Sequence, residues 1–304
     1  MTSGHSGLAQ SVMTRLGTHA HQVGLDTNAI LDRYVLERFL YRLSVSPHAR
    51  AFILKGAMLL PLWLPESARP TRDADFAGFG KLTQETLHGI ADDVCRIEVE
   101  PDAVVFDTTT INVTRIRQED EYGGHRIKVT GRIGRSRVVV QIDVGIGDAI
   151  SPSPEMVELP SLLEFPQPRL RAYRPETAIA EKFHAMATHG EANSRMKDYY
   201  DVDRLAVSLS FDAAILRGAV EHTFAHRGTV IPNLPPTALT DSFAELQTKQ
   251  AQWLSFVRRI VPSADRNFVL VVHRVRDFLM PVSRGEAAGT WPPGGPWQTA
   301  PRHA

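Results

Sequence analysis

Apolar residues recur along this chain first at helical spacing, then in alternation, then at helical spacing again. Over 8–24, Leu8, Val12, Leu16 and Val23 fall near one face of a helix. Asp26 and Thr27 stand where an N-cap belongs. The stronger helix they open carries Ile30, Leu31, Tyr34, Val35, Phe39 and Leu43 at a 3.6-residue period and ends at Ser46-Pro47. A short apolar strand, Phe52-Ile53-Leu54, breaks at Gly56. Helix-prone residues 57–60 follow, and the chain returns as an extended segment carrying Asp73 and Asp75. A helix over 83–95 buries Leu87, Ile90, Ala91 and Val94. The period then becomes two. Segments 104–106, 111–116, 126–133 and 137–144 read as strands, with turns at Gly123-Gly124 and Gly134-Arg135.

Prolines 152, 154, 160, 166 and 168 make 151–168 an irregular crossing, with 159–165 partly extended. Pro175 and Glu176 open a helix that carries Ile179, Phe183 and Met186 inward and stops at Gly190. Further helices are expected over 198–209, 212–226, 240–260 and 263–280, with a linker at 232–236. The pattern predicts an α/β protein, a mixed sheet with helices on one face followed by a mainly helical C-terminal half. The sheet domain spans 8–150 and the helical domain 151–286; residues 1–7 and the Gly/Pro-rich 287–304 are expected to be disordered.

At 304 residues the chain can bury one large core or two smaller ones. Lys+Arg and Asp+Glu both total 34, so no global basic field advertises nucleic acid, although a local basic groove is compatible with that balance. A single cysteine, Cys95, excludes an intrachain disulfide and a Cys-rich zinc site and fits a reducing cytoplasm. No apolar run approaches the roughly 20 residues of a membrane span, and the N-terminus lacks a signal-peptide layout. A cytoplasmic location without a membrane partner is expected.

Candidate chemistry centres on Asp73 and Asp75. Residues i and i+2 on a strand share a face, whereas on a helix they lie about 200° apart. Two carboxylates on one face suit Mg²⁺, which takes one or two of them together with phosphate oxygens. A solvated surface turn is the bland alternative. Asp143 interrupts a Val/Ile-rich strand, where a carboxylate must be exposed, paired or metal-bound; Asp148, beside Gly147, is the second choice. Lys182 borders an apolar stripe and reads either as a cleft cation or as a snorkelling surface lysine. Arg195, Lys197 and Asp198 read either as phosphate and acceptor contacts or as a charged helix start capped by Asp198. His184 reads as structural. Arg132, Arg135 and Arg137, with Arg169, Arg171 and Arg174, are candidate acceptor contacts set against a solvated-strand reading.

Four blocks occur in order: Lys55-Gly56 with Asp73 and Asp75, then Asp143, then Lys182, then Arg195, Lys197 and Asp198. Together they resemble the AbiEii/AbiGii branch of the nucleotidyltransferase superfamily, which includes the MenT-type toxins. The resemblance covers most of 8–280, and Ala57 departs from it where relatives carry a second glycine. It implies a Mg²⁺-dependent nucleotidyltransferase toxin of a toxin–antitoxin system. Two ions, with Mn²⁺ as a substitute, would be held by Asp73, Asp75 and Asp143. Catalysis would fall to those three with Lys182 and Asp198. Nucleotide binding would fall to Lys55, Gly56, Ala57, Arg72, Lys182, Arg195 and Lys197. The substrates implied are an NTP and the 3′ end of tRNA; the partner is an antitoxin, either a winged-helix protein or a kinase. Transfer to a protein or small-molecule hydroxyl, or a catalytically inactive nucleotide-binding module, is the competing expectation.

Overall fold

A computed structural model describes residues 3–66, 69–116, 123–147, 150–261 and 264–299. In chain order the elements are α1 (Ser3–Val23), α2 (Thr27–Val45), β1 (Phe52–Lys55), α3 (Leu60–Trp63), β2 (Asp73–Gly78), α4 (Gln84–Arg96), β3 (Val105–Ile116), β4 (Gly124–Ile133), β5 (Ser136–Ile146), β6 (Glu155–Glu158) and β7 (Arg169–Ala172). Then come α5 (Pro175–His189), α6 (Met196–Ser208), β8 (Phe211–Asp212), α7 (Ala213–His226), α8 (Asp241–Glu245), α9 (Gln247–Ile260), α10 (Phe268–Arg284) and β9 (Thr290–Trp291). No helix among the described residues is long and apolar enough to cross a membrane. The chain divides into two compact units: 1–59, 71–148 and 155–172 form the first, and 60–70, 149–154 and 173–304 the second.

The first unit is built on a seven-stranded mixed sheet in the order β3-β4-β5-β2-β1-β7-β6. β2 runs parallel to β5 and β1 to β7, while the other neighbours are antiparallel. Alternation sorts the faces. Val138, Val140, Ile142 and Val144 of β5 are buried, as are Ala74 and Phe76 of β2, which they flank in register. α2 packs on this apolar face. Gly131 of β4 makes room for it, since a Cβ there would sit 2.4 Å from a Val35 methyl. α4 lies against β3, β4 and α2, so the expected helices-on-one-face arrangement is present in this unit. Asp26 caps α2 by accepting from the amides of Asn28 and Ala29. The helix is more than an amphipathic core element, because Glu37, Arg38 and Arg42 are all buried along it. Arg42 grips Asp102 through two hydrogen bonds of 2.7 and 3.1 Å, and Glu37 accepts from Ser161 and from the amide of Leu162.

Residues 151–168 depart from the expected irregular crossing. β6 and β7 pair as an antiparallel ladder, Glu155 opposite Ala172, and join the sheet through β1. The prolines lie outside the paired residues, at positions that need no ladder amide. Residues 155–172 therefore belong with the sheet unit, not with the helices, and 60–70 belongs with the helices. At the N-terminus the helix starts at Ser3 instead of Leu8, since extending a formed helix costs little per residue.

The second unit packs α5 on α7 and α6 on α10, around Phe183, Tyr199, Phe224, Trp253 and Phe268. The single helix expected over 240–260 is two, broken at Leu246, and α10 runs on to Arg284 through Pro281. Residues 287–299 are folded, contrary to expectation. β9 pairs with β8, Trp291 is buried, and Trp297 stacks on Phe278 at 5.8 Å. Two indoles outweigh a Gly/Pro-rich composition because each buries on the order of 150–250 Å².

Candidate active site

The site in the first unit follows from strand register. Asp75 lies opposite Lys55 on β1 and opposite Asp143 on β5; Asp143 in turn lies opposite Arg126 on β4. Cross-strand partners share a face, so Lys55, Asp75, Asp143 and Arg126 form one transverse row of four charges. Asp73 sits two residues before Asp75, on the same face and roughly 6–7 Å along the strand. All three carboxylates are on the face opposite α2, and each is half-buried.

Two local features shape this row. Gly56 follows Lys55 with φ +74°, and a Cβ on it would lie 2.3 Å from Oδ2 of Asp75. Only glycine lets the backbone turn here while passing so close to the carboxylate. Ala57, which stands where relatives have a second glycine, turns its methyl into the core. Asp73 accepts a 2.6 Å hydrogen bond from Thr71 Oγ1, in the loop just before β2, which orients the carboxylate.

Arg126 is the residue that sequence reasoning passed over. Its Nε donates to Asp143 Oδ1 at 2.8 Å and its Nη2 to Oδ2 at 2.7 Å. This bidentate bond, reinforced by the charges of Asp143, Asp73 and Asp75, raises the guanidinium pKa above its ordinary value. Lys128 stands two residues further along β4, exposed and without an ion-pair partner among the described residues.

Among the described residues, no group of three or more His, Cys, Asp or Glu side chains is gathered closely enough to hold one metal ion. Both oxygens of Asp143 are taken by Arg126. The donor chemistry of Asp73 and Asp75 nonetheless fits a hard divalent cation that completes its shell with substrate oxygens. Asp148, the second choice for a third carboxylate, lies outside the described residues.

Arg72 is placed elsewhere. It precedes Asp73 and so projects to the α2 face, where its exposed guanidinium lies 3.6 Å from Asp32. The structure does not bring it together with Lys55, Gly56 and Ala57.

The second unit gathers the remaining candidates into a buried charge cluster. Lys182 on α5 reaches Asp198 at 2.9 Å and Asp201 at 2.8 Å, both on α6. Arg195 pairs with Asp198, and Arg69 grips Asp201 bidentately at 2.8 and 2.9 Å. Burial alone would lower the pKa of Lys182, but the charges of Asp198 and Asp201 overcome it and hold the ammonium above its usual range. Burial likewise acts against the ionised Asp198, and Lys182 and Arg195 outweigh it to bring the carboxyl down to about 2. Asp198 therefore faces two cations instead of capping α6. Lys197 points outward and has no ion-pair partner among the described residues. His184 is buried, hydrogen-bonded to Thr229 at 3.0 Å and packed edge-on against Phe224. Asp201 and Arg69 lie within the sequence blocks that carry the resemblance, but the sequence pattern assigns neither a role. The spacing of Lys182, Asp198 and Asp201 was the available signal, since residues three apart on a helix share a face.

Two solved structures from Helicobacter pylori are similar to this chain: a candidate nucleotidyltransferase and the protein JHP933. Each is 14% identical to it over 86% of its length at a TM-score of 0.48, with 97% and 94% of their own chains covered. A comparison with curated proteins finds no match. The family model described as the nucleotidyl transferase AbiEii toxin of type IV toxin–antitoxin systems matches residues 38–280, which takes in both charge clusters. With four-fifths of its length inside that match, the chain belongs to the AbiEii family of nucleotidyltransferase toxins.

Proposed function

We propose that this toxin transfers NMP from an NTP to the 3′ end of tRNA, with Mg²⁺ held by Asp73 and Asp75, and that its target is translation. One observation carries the reading: Asp73 and Asp75 share a face with Asp143, and a glycine turn passes against Asp75. A single face that concentrates three carboxylates between Lys55 and Arg126 suits an ion that itself carries phosphate oxygens. When bound there, Mg²⁺ would withdraw charge from the α-phosphate and steady the leaving pyrophosphate.

The chain's own groups supply the rest. The backbone at Gly56 offers a turn without side-chain bulk for the triphosphate, and Lys55 and Arg126 place positive charge at the two ends of the row. Asp143, whose two oxygens Arg126 holds in this structure, leaves that pair to accept the proton of the attacking hydroxyl as the new oxygen–phosphorus bond forms and the bond to the β-phosphate oxygen breaks. In the second unit, Arg195 and Lys197 present cationic groups to substrate anions, and Lys182 is fixed by Asp198 and Asp201. AbiEii membership brings an antitoxin partner, and we infer either a winged-helix protein or a kinase.

Incubating the purified protein with each α-³²P-NTP, Mg²⁺ and total tRNA, beside Asp75→Ala, tests this reading. Label on tRNA that disappears in the variant supports it and names the nucleotide. Label on protein alone moves the acceptor to a protein hydroxyl. No label on either, with no nucleotide binding by calorimetry, rejects it.

A further inference from the structure

Two ion pairs of like geometry in the first unit differ in burial. Arg42 and Asp102 are 7% and 3% exposed, whereas Arg126 and Asp143 are 37% and 16% exposed. Opening the first pair would strand a charge in the core. Opening the second lets water reach both partners, so it is held far more weakly. A guanidinium has five N–H donors, and Asp143 uses two. The other donors of Arg126 have no acceptor among the described residues. Asp143 is also the cross-strand neighbour of Asp75, so Arg126 competes for its oxygens with any cation that binds the carboxylate face.

We propose that Arg126 is an exchangeable counter-ion: it holds Asp143 while no divalent ion is bound, yields that carboxylate when one arrives, and turns its guanidinium to the triphosphate. This inference rests on the metal-dependent reading above. It assigns Arg126 a substrate-binding role that the sequence pattern did not suggest.

The test is Mn²⁺ binding without nucleotide, by calorimetry and electron paramagnetic resonance, on wild type, Arg126→Gln, Arg126→Lys and Asp75→Asn. Circular dichroism confirms that each variant is folded. Removing one positive charge within about 6 Å of a partly solvated site should tighten Mn²⁺ binding about tenfold. A non-hydrolysable NTP added to the Mn²⁺ form of Arg126→Gln should bind about tenfold more weakly than to wild type. The lysine variant keeps the charge but loses the paired grip, so it should fall between the two. If the glutamine variant does not fold, the lysine variant decides alone. Unchanged or weaker Mn²⁺ binding in a folded Arg126 variant overturns the proposal and would mark Arg126 as a fixed brace. If Asp75→Asn binds Mn²⁺ as wild type does, the metal reading itself fails and the exchange fails with it. If Asp75→Asn loses Mn²⁺ while the folded Arg126 variants bind it no more tightly than wild type, the metal reading stands and the exchange alone is rejected.

Discussion

Gly56 shows how much of the site depends on a single atom that is absent. Its role as a backbone turn was legible, but the neighbour that demands it, the Asp75 carboxylate, became visible only in the fold. Gly56→Ala should cost about 1–2 kcal/mol from the left-handed backbone alone. It should also push Asp75 out of its row. The expected outcome is a modest fall in Tm with a loss of nucleotidyl transfer as large as that of Asp75→Ala; a variant that keeps its activity would detach Gly56 from the chemistry. Asp198 supports a second prediction at this scale. Its pKa drops from 3.8 to about 2 on folding, so the stability it contributes is complete above about pH 4 and lost as pH falls toward 2. Acid unfolding should therefore steepen in that window. Asp198→Asn, though less stable at neutral pH, should show a flatter limb there, and an unchanged limb would count against the assignment.

Register carries the argument at the scale of elements. Gly134, at φ +55°, opens a two-residue turn that sets Ile133 opposite Ser136. Counting back in step places Arg126 opposite Asp143. The turn and both strands were readable from the chain, so the missing step was the count itself. The pairing of Asp75 with Asp143 was not readable, because β2 and β5 run parallel across a long connection and no turn sets their register. β6 and β7 escaped for a different reason: four-residue strands amid prolines show too little alternation to register. One residue inserted after Arg135 should shift the ladder by one and turn Arg126 away from Asp143. It would also expose the Val138 to Val144 row, so the expected result is insoluble or unfolded protein. At α2, Asp102→Ala would leave Arg42 buried without its carboxylate and should cost about 3–5 kcal/mol by urea denaturation. A change below 1 kcal/mol (about the value of an exposed pair) would refute the clamp.

At the scale of the whole molecule, the family match ends at 280, yet the chain continues to build structure beyond it. Composition misled here because Gly and Pro outnumber the indoles, while free energy follows buried area. Trp291 donates from Nε1 to the carbonyl of Ala206 at 2.7 Å and packs against Phe278 at 4.9 Å. Gly295 closes over it, with φ +72° and space for a Cβ only 2.4 Å from the indole ring. The tail thus covers α6 and α10 inside the second unit, the same α6 that carries Asp198 and Asp201. Trp291→Ala should cost about 3–5 kcal/mol. Truncation before Thr290 should cost at least as much, because it also removes the β9 pairing with β8 and uncovers Phe211 and Phe278. Since the lost contacts lie in the second unit, hydrogen exchange should quicken first in α6 and α10, while β2, β4 and β5 keep their protection. Equal protection of α6 and α10 in the truncated and full-length chains would show that the tail rests on the unit without supporting it.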